Sequence, residues 1–214
     1  MQQTVQHEGY APVDGGTCGR TVPDAGLGPG LPPLPPPALV LPGGYRFSLE
    51  PITRASKPLI ARAVSRLSLE SSRRRFFTPR LQLSERELDA LTDVDGIRHY
   101  AFGVCGRGPE GAVEGIAAAH LVRVADTPAT AEIALTVIDA YQGQGLGKLM
   151  LGRLAAAAVA RGVLRLRALI VPDNAPVLGL LRKYAPGARF SYDGELYTAD
   201  IPVPQVAAAL PVFV

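Results

Sequence analysis

The chain has 214 residues, 47% of them apolar, which is enough for one domain with a sizeable core and a tail. Its longest apolar run, Leu154–Ala160, is bounded by Arg153 and Arg161, far short of the roughly 20 residues a spanning helix needs, and Met1–Tyr10 lacks the basic and apolar regions of a secretory signal, so no membrane segment is expected. The net charge of +3 is spread along the chain except at Arg73–Arg75, with no Trp and 6% aromatics, which argues against the concentrated basic stripe of a nucleic-acid binder.

The two cysteines, Cys18 and Cys105, form no CxxC or Cys/His ligand spacing, so neither a metal site nor a disulfide framework is expected. A reducing cytoplasm is the default setting for such a chain.

Residues 1–43 read as a disordered leader. They hold Gly15-Gly16, Gly28-Pro29-Gly30 and the run Leu31 to Pro37, a composition that neither donates enough backbone hydrogen bonds nor buries enough side chains to fold. The proline run suits a polyproline II piece, either a docking motif or a solvated tail. From residue 44 to 214 the pattern is that of one globular domain.

Tyr45, Phe47 and Leu49 alternate with polar residues and predict a strand. Ser56 is placed to cap a helix over about Lys57–Leu67, with Leu59, Ile60, Ala63, Val64 and Leu67 on one face. Ser68 to Phe77 predicts a short helix or turn, and Ser84-Glu85-Arg86-Glu87 is a capping box for a helix to about Leu91. Strands follow at Ile97–Cys105, Ala112–Val124 and Ala131–Ile138, separated by a turn at Gly106–Gly111 and a loop at Asp126-Thr127-Pro128. Gly145–Arg161 predicts a helix stopped by Gly162, Val163–Val171 a strand, and Asn174 to about Tyr184 another helix. Phe190–Tyr192 and Leu196–Ile201 flank Asp193-Gly194, a hairpin turn. The order β-αα-βββ-α-β-α-ββ is a mixed α/β domain (α+β in arrangement), a sheet of six to seven strands with flanking helices.

The strand Ala131–Ile138 runs through Asp139-Ala140-Tyr141 into Gln142-Gly143-Gln144-Gly145-Leu146-Gly147-Lys148 and then a helix. Glycine permits positive φ and puts no Cβ between backbone and ligand. Successive N–H groups can converge on an anion, reinforced by the unpaired N–H groups and dipole of the helix, which suits a pyrophosphate. Lys148 adds a cation in the first helical turn. The dinucleotide G-x-G-x-x-G spacing is not met, and Gly-Lys-Ser/Thr is missing. A plain glycine-rich strand-to-helix connection is the other reading of the turn alone.

Gln142-Gly143-Gln144-Gly145-Leu146-Gly147, between strand and helix, resembles the Q/R-x-x-G-x-G/A signature of the GNAT acetyltransferases, over about Tyr45–Val203. Arg66-Leu67-Ser68-Leu69-Glu70-Ser71-Ser72-Arg73-Arg74-Arg75-Phe76-Phe77 resembles a stretch of the Pat-type protein lysine acetyltransferases. Leu83 to Leu88, Asp93–Ala101, Ala131-Glu132-Ile133-Ala134 and Asp173-Asn174-Ala175-Pro176 continue that resemblance. It implies acetyl-CoA as co-substrate, without metal, in a cleft where the strands 131–138 and 163–171 splay apart. The pyrophosphate is then held by Gln142, Gly143, Gln144, Gly145, Leu146, Gly147 and Lys148, and the pantetheine lies along the backbone of Leu135, Thr136 and Val137.

Glu132 is the one acidic residue of its strand, facing opposite to Ile133, Leu135 and Val137. The resemblance makes it the general base; otherwise it is an exposed edge residue. Asn174 is a helix N-cap, and the resemblance adds a contact to the pantetheine arm. Where many relatives carry a Tyr acid, this chain has Leu181, and Tyr184 lies one turn on. His99 and His120 read as structural, with a role near the acceptor as the alternative.

The resemblance thus implies acetyl transfer to a primary amine. The acceptor is a protein lysine, or else a small amine or amino acid; a non-catalytic acyl-CoA-binding module is a third class. No nucleic-acid or membrane partner is expected, and the sequence does not determine the oligomeric state.

Overall fold

The computed structural model describes residues 39–40, 46–107 and 113–210. Apart from Leu39–Val40, the segment read as a leader lies outside the described residues, as does most of the predicted turn at Gly106–Gly111.

The strands are β1 (Leu39–Val40), β2 (Arg46–Pro51), β3 (His99–Arg107), β4 (Val113–Val124), β5 (Thr127–Val137), β6 (Arg165–Ile170), β7 (Arg189–Tyr192) and β8 (Tyr197–Pro202). The helices are α1 (Lys57–Ser65), α2 (Leu69–Phe76), α3 (Glu85–Thr92), α4 (Leu146–Ala160), α5 (Ala175–Tyr184) and α6 (Val203–Ala209). The sheet order is β1-β2-β3-β4-β5-β6-β8-β7. Seven strands form the main sheet, and β1 adds a two-residue edge, Leu39 pairing with Phe47 and Val40 with Arg46. All neighbours are antiparallel except β5 and β6.

The alternation of β2 and the amphipathic pattern of α1 fold as their sequences predict. Local chemistry differs at three places. Ser56 does not cap α1: its hydroxyl accepts from the Thr53 amide across a 3-10 turn at Arg54–Ser56. Thr127-Pro128 belongs to β5 rather than to a loop, because Ala125–Asp126 alone turns the chain. Val203–Ala209 forms a helix that the sequence pattern did not reveal. Ser68 and Ser84 do cap α2 and α3, accepting from the Ser71 and Glu87 amides.

The core lies between the sheet and α4. Tyr100, Phe102, Leu121, Leu146, Met150, Leu151, Leu154 and Leu166 are all fully buried. Helix α4 is apolar almost all round, because β4 and β5 cover one side and α6 another. Gly152 lets α6 approach: a Cβ there would sit 3.2 Å from Leu210 Cβ and 3.3 Å from its carbonyl oxygen.

Candidate active site

Parallel pairing between β5 and β6 is brief. Thr130 pairs with Arg165, Ala131 with Leu166 and Glu132 with Arg167, and there the ladder ends. Beyond Glu132 the strand continues to Val137, held by β4 alone. A V-shaped opening results, with an unpaired β5 edge at Ile133–Val137. A cavity of about 340 Å³ occupies it. Both faces of the sheet reach it: Glu132 and His120 from one, Ile133, Leu135, Leu151 and Ile170 from the other.

At the wide end, β5 passes through a 3-10 turn at Asp139–Tyr141 into the glycine turn. Gly143 and Gly145 have φ of 74° and 88°, a region where a Cβ is strained. A Cβ built on either meets nothing within 4 Å, so both open onto clear space. The amides of residues 143–148 make no hydrogen bond among the described residues; the first helical bond is Leu149 N–H to the Gly145 carbonyl, at 3.1 Å. Leu146 is buried and anchors the helix start, while Lys148 is exposed, its Nζ 5.5 Å from the centre of the Tyr184 ring. Backbone donors, a helix N-terminus and a cation thus lie within residues 143–148, a set that suits an anion.

The two glutamines act on the protein rather than outward. Gln142 Nε2 donates to the Val137 carbonyl at 3.0 Å and to Ser71 Oγ at 3.1 Å. Gln144 Nε2 donates to the Ala140 carbonyl at 3.3 Å. They fix the turn and leave its amides from Gly143 to Lys148 without a protein partner among the described residues. The Val137 carbonyl thus already has a donor on the open side of β5.

Helix α2 bridges the opening. At one end Asp139 accepts from the Ser68 amide (3.0 Å), the Ser68 hydroxyl (2.6 Å) and the Ser71 hydroxyl (2.8 Å). Burial opposes that charge, but the serine donors outweigh it and hold the carboxyl below its ordinary range. At the other end Arg73 and Arg74 engage Asp173, just before α5. Asp139 was missed in the sequence, where it looked like one more turn residue. The serine spacing that gives Ser68 and Ser71 one helix face was the available signal.

Glu132 is exposed at the cavity and pairs with no basic side chain among the described residues. Its neighbours Ala131 and Ile133 are buried, so the predicted orientation is observed. Asn174 caps α5, its Oδ1 accepting from the Val177 amide at 3.4 Å, and also lines the cavity. Leu181 is buried at the cavity wall, and Tyr184 lies under the Lys148 ammonium.

Register brings the two histidines to Glu132. His99 pairs with Val122, and Val122 with Glu132, while His120 pairs with Ala101 and Ala134. His99, His120 and Glu132 therefore share one sheet face. His99 Nε2 lies 3.0 Å from His120 Nδ1, and His99 Nδ1 3.3 Å from the Asp93 carbonyl. Burial, with Arg75 and His99 adding repulsion, holds His120 well below the ordinary imidazole range. Burial also pushes the Arg75 guanidinium down to about 10.

The family model described as Acetyltransferase (GNAT) family matches residues 67–185. The acetyltransferase Pat of Mycolicibacterium smegmatis is 34% identical over 131 residues, covering 61% of this chain. The chain spans 38% of the length of that relative. Among solved structures, the GNAT domain of S. lividans PAT is 27% identical with a TM-score of 0.66, covering 77% of this chain and 95% of that one. A cAMP-binding acyltransferase from Mycobacterium smegmatis shares the fold at 24% identity and a TM-score of 0.52, over 83% of this chain and 56% of that one. The family match takes in the glycine turn and both splayed strands, and the chain belongs to the acetyltransferase (GNAT) family.

Proposed function

We propose that the protein transfers an acetyl group from acetyl-CoA to the side-chain amine of a lysine on another protein, with Glu132 as general base. The observation carrying this reading is the end of the β5–β6 ladder at Glu132 itself, which sets an exposed carboxylate at the point where the opening begins. Pyrophosphate at the glycine turn and pantetheine along Leu135–Val137 lead the thioester toward that point. Amine transfer needs proximity and removal of a proton from an ammonium whose reference pKa is about 10.4. Glu132 takes that proton directly or through one water.

The protein acceptor is supported by the exposure of Glu132 and by the similarity to Pat. Apolar side chains at the cavity, Phe77, Val122 and Leu169, are 45%, 42% and 43% exposed. They form a surface suited to a docked polypeptide. Among the described residues no helix is long and apolar enough to cross a membrane. A cytoplasmic setting belongs to the same proposal.

The test is to incubate the protein with labelled acetyl-CoA and a cell lysate. Label in protein lysines is the expected result. Label only in small amines would move the assignment to a small-molecule acetyltransferase, and binding without transfer to an acyl-CoA-binding module.

A further inference from the structure

Acetylating an ammonium strips two protons from one nitrogen. The first must leave before the lone pair can attack. The second leaves when the tetrahedral adduct collapses, as the C–N bond stays, the C–S bond breaks and the thiolate departs with its electron pair. Glu132 holds one proton at a time. Resting on the acetyl-transfer reading above, we propose that His120 and His99 form a two-imidazole exit, His120 accepting the second proton and His99 passing it to water.

A single carbonyl sets the direction. The Asp93 carbonyl can only accept, so His99 Nδ1 carries a hydrogen and its Nε2 is a lone pair. At 3.0 Å from that lone pair, His120 Nδ1 must be the donor. His120 Nε2 is thereby left as a lone pair, with no hydrogen-bond partner among the described residues, on a side chain that lines the cavity beside Glu132. Each imidazole in this state accepts at Nε2 and releases at Nδ1. His120 passes its Nδ1 hydrogen to His99 Nε2, and His99 gives its own Nδ1 hydrogen to water as the long, solvent-exposed bond to the Asp93 carbonyl (3.3 Å) opens. Both rings then turn back to the starting tautomer.

The charges around the pair slope the same way. At the cavity end, Arg75 and Arg74 from α2 and Arg167 from β6 line the space, and Arg75 repels a cation on His120. Farther out, burial holds half-buried His99 below the ordinary imidazole range, less far than His120, because the Asp93 carbonyl and the charges of Asp95 and Asp93, in the segment between α3 and β3, work against the shift. A proton reaching His120 therefore moves toward His99 and the surface. His120 suits the second proton rather than the first: the N–H of the adduct, next to an electron-poor carbon, is more acidic than an ammonium and needs only a weak base. The bond between His99 Nδ1 and the Asp93 carbonyl is solvent-exposed, so the pair gives the second proton a route to water separate from Glu132.

Two measurements test this on the full chain. The protein has three histidines, His7, His99 and His120, so long-range nitrogen–proton NMR with single variants can assign each ring. His99 and His120 should both show the Nδ1–H tautomer, and His120 should be neutral at neutral pH. A hydrogen on His120 Nε2 overturns the proposal. The kinetic arm is His120→Asn, which keeps a donor toward His99 and deletes Nε2. It should lower kcat about 10²-fold with acetyl-CoA affinity unchanged, and added imidazole should restore part of the rate. His99→Phe should give a smaller loss that shrinks as buffer concentration rises. Wild-type kcat and pH profile in folded His120→Asn overturn the exit while leaving acetyl transfer intact. A wild-type protein that acetylates no amine overturns the transfer reading and the exit with it.

Discussion

The two ends of the cleft are built from different materials. The glycine turn offers backbone: unpaired amides, two positive-φ glycines and a helix start, all within residues 142–148. The other end, where the acceptor is proposed to dock, offers side chains: Arg75 from α2, His99 from β3, His120 from β4 and Glu132 from β5. A phosphate-binding surface needs conformation, which a short stretch encodes by itself. A proton-handling surface needs chemical groups at set distances, which only the sheet register supplies.

The sharpest break in that comparison is Gly145→Glu. Its φ of 88° strains any side chain, and the open space around it would receive a carboxylate where phosphate belongs. Acetyl-CoA binding should fall below detection by calorimetry in the folded variant; unchanged affinity would remove the turn from the site. Glu132→Gln comes next. It should lower kcat by about 10²–10⁴-fold and leave acetyl-CoA binding intact, with activity rising more steeply with pH as hydroxide takes over deprotonation. Equal pH–rate profiles for wild type and variant would leave positioning alone as the source of the rate.

Asp139→Asn tests whether the two ends share a support. Loss of the charged acceptor for Ser68 and Ser71 should cost about 1 kcal/mol, a fall in Tm of roughly 2–4 °C. The folded carboxyl sits below its ordinary value, so its stabilisation is complete above the unfolded pKa and is lost as pH falls through the folded one. Melting curves of variant and wild type should thus differ at neutral pH and converge in acid. The smallest effect is Asn174→Ala, about 0.5–1 kcal/mol from the lost α5 cap, with little change in acetyl-CoA affinity. A large affinity loss there would show that the amide serves the pantetheine arm as well.

The same division explains what was legible in the sequence. The glycine turn, the capping box at Ser84 and the alternation around Glu132 are local, and each is found where its pattern placed it. Ser56 was misassigned because a hydroxyl can serve a preceding turn as readily as a following helix. His99 and His120 stand 21 residues apart, and only the β3–β4 register makes them neighbours. Asp139 has partners about 70 residues away, at a separation no periodicity reports.

Helix α6 lies beyond residue 185, where the family match stops, yet it is not an appendage. Val203, Val206 and Leu210 are 1%, 0% and 5% exposed, and Gly152 leaves the room that Leu210 fills. Burying three such side chains is worth on the order of 5–9 kcal/mol, comparable with the whole net stability of a domain. Ending the protein after β8 would therefore bare an apolar face of α4, and the product should precipitate or self-associate long before its chemistry could be measured.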